Sequence, residues 1–176
     1  VSVHDDIQYA IVLNENKQLL VVGESRIEDL EKHLGPLRIL EKLAGKDLVG
    51  TEYTHLFHAA SAPRPAVFAA AYVTDDSGTG LVHSAPAHGH DDYDAFKAAG
   101  ISLDEMRCPV DDDGCFTLEL LDGGRDAGAL VGLPVLGAGS KAMVKFLADE
   151  GVLLAAERIE HRYPCDWRTK QPIIIR

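Results

Sequence analysis

The stretch GTGLVHSAPAHGHDDY, Gly78 to Tyr93, crowds His83, His88 and His90 with the adjacent Asp91 and Asp92 behind a Gly-Thr-Gly turn. Residues of these types support three chemistries. Imidazole nitrogens and carboxylate oxygens from His83, His88, His90, Asp91 and Asp92 could hold a divalent metal. The spacing fits poorly, because helical HExxH sites set two histidines one turn apart, whereas His88 and His90 sit in a loop behind Pro86. Ser84 or Thr79 could act as a nucleophile beside a histidine and an aspartate. Strand alternation, however, turns Ser84 away from His83, and neither a GxSxG elbow nor a P-loop pattern occurs. The third chemistry is a substrate pocket, in which the turn brings main chain close to a ligand, a histidine forms a wall, and Asp92 at a helix start holds an ammonium group. A plainer reading stands beside each: Asp91 or Asp92 as a helix cap, His83 as a satisfied core histidine, GTG as a tight turn.

These residues must be carried by elements that the apolar pattern outlines. IQYAIVL (Ile7 to Leu13) and QLLVV (Gln18 to Val22) flank the polar NENK and predict a hairpin. Ser25, followed by Glu28, predicts a capped helix with Ile27, Leu30 and Leu34 inward and Gly35-Pro36 as its stop. Glycines 45 and 50 punctuate short strand-like pieces up to Phe57, and AVFAAAYV (Ala66 to Val73) predicts another strand. GLVHSA reads as a strand with Leu81, His83 and Ala85 on one face and Val82 and Ser84 on the other. A helix follows over DYDAFKAAG, with Tyr93, Phe96 and Ala99 on one side. A second helix runs from Ser140 to Gly151 with Met143, Phe146 and Leu147 inward, and VLLAAERIEH predicts a strand. The pattern as a whole suggests an α+β domain on a closed or nearly closed sheet.

At 176 residues and 46% hydrophobic the chain is the size of one domain. Its formal net charge of −11 argues against tight, indiscriminate binding to a phosphate backbone and leaves local RNA contact open. Cys108, Cys115 and Cys165 are odd in number and form no CxxC pair, which points to free thiols in a reducing compartment. No apolar run approaches the ~18 residues of a membrane span, so a soluble domain without membrane partners is expected. Both ends look cut: VSVHDDIQYAIVL begins almost on a strand pattern and QPIIIR stops within one, so a piece of a larger protein is expected.

GTGLVHSAPAHGHDDYDAFKAAGI closely resembles the signature of the editing (CP1) domain inserted in isoleucyl-tRNA synthetases. Valyl enzymes look similar across GTG and the DY pair but usually carry lysine in place of His83, and leucyl enzymes read differently across SAPAHGH. CPVDDDGCFT (Cys108 to Thr117), HRYPCDWRTKQPIIIR (His161 to Arg176) and GKDLVGTEYTHLF (Gly45 to Phe57) also resemble the isoleucyl pattern, so the likeness covers nearly the whole chain. It leans toward the bacterial and mitochondrial branch, hence toward a cytoplasmic or mitochondrial-matrix protein. The resemblance implies a β-barrel-like editing domain over residues 1–176, with about 161–176 forming a strand back toward the synthetic core.

The activity implied is hydrolysis of mischarged Val-tRNA(Ile), with the 3′ aminoacyl end of the tRNA and its valine moiety as partners. A monomer is implied, with no cofactor or metal for editing and ATP only for the parent ligase. By the same resemblance, Asp92 matches the aspartate that holds the substrate α-ammonium, and His83 matches the wall that admits valine and excludes isoleucine. Gly78, Thr79 and Gly80 match the turn near the bound aminoacyl-adenosine, while His88, His90 and Asp91 are assigned no more than shaping the loop. One departure is the family's Thr-rich, TTTPWT-like peptide, which nothing here matches: Thr51 and Thr54 belong to another element. The alternative is therefore a non-catalytic module that binds the aminoacyl-tRNA end.

Overall fold

The computed structural model describes residues 1–156 and 163–176. The chain enters through a two-residue strand, β1 (Ser2–Val3), and continues into the expected hairpin of β2 (Gln8–Leu13) and β3 (Leu19–Gly23). The two strands pair antiparallel with Tyr9 opposite Gly23 and Leu13 opposite Leu19. Asn14 closes the turn by accepting the Gln18 N–H at 2.9 Å. Ala10, Val12 and Val22 are buried on the inner face, and α1 (Ile27–Leu34) lays Ile27, Leu30 and Leu34 over them.

That helix starts later than its sequence suggests. Ser25 lies in a single 3₁₀ turn (Glu24–Arg26), and its hydroxyl donates to the Asp75 carboxylate at 2.7 Å instead of capping α1. Gly35, at φ +73°, ends the helix as expected. β4 (Arg38–Ala44) then returns along the other side of β2, with a bulge that moves the pairing from Ile11–Glu41 to Val12–Ile39. The short α2 (Gly45–Leu48) follows, its Asp47 carboxylate accepting the Ala44 N–H at 3.1 Å.

The predicted strand over Ala66 to Val73 shrinks to β5 (Phe68–Ala69), which runs parallel to β1. The expected strand GLVHSA keeps only a single bridge, between Val82 and Ser2. α3 (His90–Ala98) packs Phe96 edge-on against Phe68, with centroids 6.3 Å apart, in a cluster with Ala70 and Val73. Farther along, α4 (Ser140–Asp149) sets Met143 and Phe146 against buried Leu120, Ala127 and Leu130. No strand forms over residues 152–156, and the remainder of the strand predicted there falls on 157–162, outside the described residues. His161 and Arg162 lie outside them too. In residues 163–176 the main chain folds back through a bridge between Cys165 and Pro172.

The expectation of a β-barrel-like fold is overturned. The strands form a three-stranded sheet of order β3-β2-β4 and a separate β1-β5 pair, and among the described residues neither sheet closes. Closure needs a hydrogen-bonded neighbour for both edge strands. The segments that could have supplied one, 49–67 and 74–89, contribute only the isolated bridges Glu52–Ala66 and Ser2–Val82. Gly50, Gly78 and Gly80 take positive φ and interrupt extended backbone in these segments, and Pro63, Pro65 and Pro86 offer no ladder donor. The result is a mixed α/β fold with small open sheets.

Candidate functional site

The site forms where the loop before α3 meets β1. Residues 85–89 make a tight turn in which the Ala85 carbonyl accepts the N–H groups of His88 at 2.8 Å and Gly89 at 3.1 Å. Gly89 occupies the cap position of α3 with no side-chain cap bond, so neither Asp91 nor Asp92 is the cap that the sequence allowed. Asp92 is instead the third residue of the helix. Its carboxylate reaches back so that Oδ2 accepts the Ala85 N–H at 2.9 Å, while Oδ1 takes a short hydrogen bond from the Tyr72 hydroxyl. A half-buried anion at this end of a helix is also favoured by the aligned peptide dipoles.

Tyr72 is itself anchored. Its hydroxyl lies 3.2 Å from Ser2 Oγ, and Ser84 Oγ donates to Ser2 Oγ at 3.0 Å. Ser2 is fully buried, and its main chain is bonded in both directions to Val82. Burial first, and then the bonded Asp92 carboxylate, push the Tyr72 phenol above its ordinary value, so it stays a proton donor.

His83 stacks on His55, with ring centroids 5.4 Å apart and planes inclined by 27°. Its remaining edge is open to solvent, yet the protein around the ring is dense enough that desolvation lowers its pKa, with Asp92 acting against it. His55 is lowered further, to about 4, by burial first and then by His83 and Arg107. The Phe57 N–H donates to its Nδ1 at 3.3 Å, which places the proton of the neutral ring on Nε2. Both imidazoles are therefore uncharged at neutral pH.

The GTG turn is held by a different set of contacts. Gly78 and Gly80 take φ of +59° and +79°. The Thr79 carbonyl accepts the Gly23 N–H at 2.7 Å, the Gly78 carbonyl accepts Arg26 Nε at 3.2 Å, and the Gly80 carbonyl accepts the Tyr9 hydroxyl at 2.9 Å. A Cβ on Gly80 would stand 3.0 Å from Gly23 Cα, so a side chain is resisted both by its backbone conformation and by its neighbour. The turn is thus anchored on β2, β3 and the start of α1, while His83 and Asp92 are anchored on β1, Tyr72 and the loop before α3.

The structure therefore brings Asp92 and His83 within electrostatic reach of each other and disperses the rest of the cluster. His90 and Asp91 are exposed. His88 turns away to the C-terminal segment, its Nδ1 2.8 Å from the Ile175 carbonyl, and its buried Nε2 has no hydrogen-bond partner. Among the described residues, no three His, Cys, Asp or Glu side chains are grouped to share an ion. Ser84 gives its proton to Ser2, so it is not poised against a histidine base as a covalent nucleophile would be. The arrangement suits recognition of a cation by a fixed carboxylate beside neutral rings.

Sequence reasoning missed Tyr72, Ser2 and His55. Tyr72 reads as one more apolar residue of AVFAAAYV, and only the rule that a buried phenol seeks a partner could have singled it out. His55 lies in GTEYTHLF, where nothing in the spacing couples it to His83.

No protein-family profile matches the chain. Over its whole length it is 39% identical to the isoleucine–tRNA ligase of Acaryochloris marina and 40% identical to those of Cyanothece sp. and Nostoc punctiforme. It spans only 17–18% of the length of these curated relatives. Among solved structures, the crystal structure of GlLeuRS-CP1 superposes with a TM-score of 0.60 over 90% of this chain and 78% of that one, at 15% identity. That likeness is one of fold.

Proposed function

We propose that the chain, 39–40% identical over its whole length to isoleucine–tRNA ligases and similar in fold to GlLeuRS-CP1, is an editing domain that hydrolyses Val-tRNA(Ile). The physical need for such a site is general. A pocket built for isoleucine gains only ~1–3 kcal/mol over valine from one methylene, so a second, smaller site must remove the errors. In this reading residues 1–176 form one domain that receives the 3′ aminoacyl end of the tRNA. Asp92 binds the α-ammonium of valine and so sets the ester carbonyl in place. His83, backed by His55, walls the side-chain pocket, and the turn Gly78-Thr79-Gly80 lies along the terminal nucleoside. Water adds to the ester carbonyl, the bond to the ribose oxygen breaks, and the proton from water ends on that oxygen, leaving free valine and tRNA. ATP serves the ligation reaction of the parent enzyme and has no part in this hydrolysis.

The observation that carries the reading is the fixing of both Asp92 oxygens within electrostatic reach of a His83 ring whose pKa is lowered, since an incoming ammonium meets an oriented anion without a competing imidazolium. The test is deacylation of Val-tRNA(Ile) by a full-length isoleucine–tRNA ligase carrying this chain. Loss of a charge-assisted contact of ~1.5–3 kcal/mol slows the Asp92→Ala enzyme by roughly 10- to 150-fold in kcat/KM. An unchanged rate refutes the role of Asp92. Tight binding of the aminoacyl end with no hydrolysis by the unmodified chain favours a binding module instead.

A further inference from the structure

We propose that Tyr72, held by Ser2, is a positioning residue that aims the Asp92 carboxylate at the substrate ammonium; this rests on the reading of Asp92 given above. The direction of the hydrogen bonds follows from their chemistry. An ionised carboxylate only accepts, so the single phenolic proton of Tyr72 goes to Asp92 Oδ1. The Tyr72 oxygen must then accept from Ser2 Oγ at 3.2 Å, and Ser2 in turn accepts from Ser84 Oγ at 3.0 Å. Protons therefore point one way along Ser84, Ser2, Tyr72 and Asp92.

The root of this relay does not move easily, because Ser2 is fully buried and its N–H and C=O are both bonded to Val82, at 2.9 and 3.1 Å. At the other end the Ala85 N–H holds the second carboxylate oxygen at 2.9 Å. With one donor on each oxygen, rotation about the Cβ–Cγ bond of Asp92 is blocked. The lone pairs that remain unused present a single geometry to a ligand, and such preorganisation is where a misplacement of about 1 Å costs up to ~100-fold in rate. Tyr72 and Ser2 come from β5's trailing turn and from β1, so the aim of a residue on α3 is set by two elements distant in sequence.

The experiment compares two esters on the full-length ligase carrying this chain: Val-tRNA(Ile), and the same tRNA bearing 2-hydroxy-3-methylbutanoate, in which a hydroxyl replaces the ammonium. Tyr72→Phe is expected to lower kcat/KM for the amino ester by ~10-fold or more and to leave the hydroxy ester within about two-fold. Ser2→Ala, which removes the donor to Tyr72 together with the acceptor of the Ser84 hydroxyl, is expected to shift the same ratio in the same direction by less, and it serves if Tyr72→Phe does not fold. Equal losses on both esters would mean a merely structural role and overturn the proposal. So would an unchanged amino-ester rate in Tyr72→Phe while Asp92→Asn is strongly impaired. An unimpaired Asp92→Asn enzyme would overturn the ammonium-binding reading itself, and with it this one.

Discussion

His55 offers a pH-dependent perturbation whose size can be worked through. Its ring is uncharged because burial, then His83 and Arg107, lower it from 6.5 to about 4, and because its Nδ1 accepts the Phe57 N–H. In the unfolded chain the same ring takes its proton near 6.5. The unfolded state thus binds the proton first as pH falls, and stability rises with pH between these two values. The contribution is complete above the unfolded value and is lost as pH drops through the folded one. With those two values, linkage gives a loss of about 2 kcal/mol by pH 5 and about 3 kcal/mol by pH 4. The perturbation is His55→Gln, which removes the titrating ring. Urea denaturation at pH 7.5 and pH 5.0 measures the stability of both proteins, and the ring resonances of the wild type report its titration directly. The wild type should lose about 2 kcal/mol more than the variant over this interval. Asp29, Asp76 and Asp166 are all lowered from 3.8, so their losses come at lower pH and are common to both proteins. His83 titrates in the same direction as His55 but is present in both. An identical loss in the two proteins, or a His55 resonance titrating near 6.5, refutes the reasoning.

Replacing the exposed partner of that stack tests selection. In the full-length ligase, His83→Ala should relax the sieve, with discrimination between Val-tRNA(Ile) and Ile-tRNA(Ile) in deacylation falling by roughly 10-fold, and unchanged discrimination would remove His83 from the wall. Tyr9→Phe tests the anchoring of the GTG turn. The Tyr9 hydroxyl donates to the Gly80 carbonyl at 2.9 Å and accepts the His4 N–H at 3.2 Å. Its removal orphans both groups beside a fully buried ring, at a cost of ~1–3 kcal/mol. Thermal unfolding should show this as a Tm lower by several degrees.

The elements legible in the sequence are those whose signals are local. The hairpin followed from alternation on either side of NENK, α1 from Ile27, Leu30 and Leu34, and α4 from Met143 and Phe146 ahead of Gly151. Their boundaries moved where a distant group competed, as when Asp75 drew the Ser25 hydroxyl away from α1. Strands that depend on a neighbour were overestimated: AVFAAAYV kept only Phe68 and Ala69, and GLVHSA kept only the bridge at Val82. Barrel closure failed for the same reason, because apolar alternation predicts an extended segment and not whether an edge finds a partner.

The same division runs through the site. The sequence by itself determined that Asp92 stands at the start of a helix behind a loop that holds Pro86, that His83 lies a few residues upstream, and that the stretch carrying both resembles an isoleucyl-type signature. These follow from residue type and short spacing, which act within a few peptide units. Only the tertiary structure decided that Asp92 is held through Tyr72 and Ala85 instead of serving as a cap, that His83 rests on His55, and that Ser84 is tied to Ser2. Apart from the nearby Ala85, those partners are separated in sequence, and Ser2 reaches Tyr72 and Ser84 because β1 lies beside β5 and bridges to Val82. Hydrogen bonds and burial act at a few ångströms in space, whatever the distance along the chain.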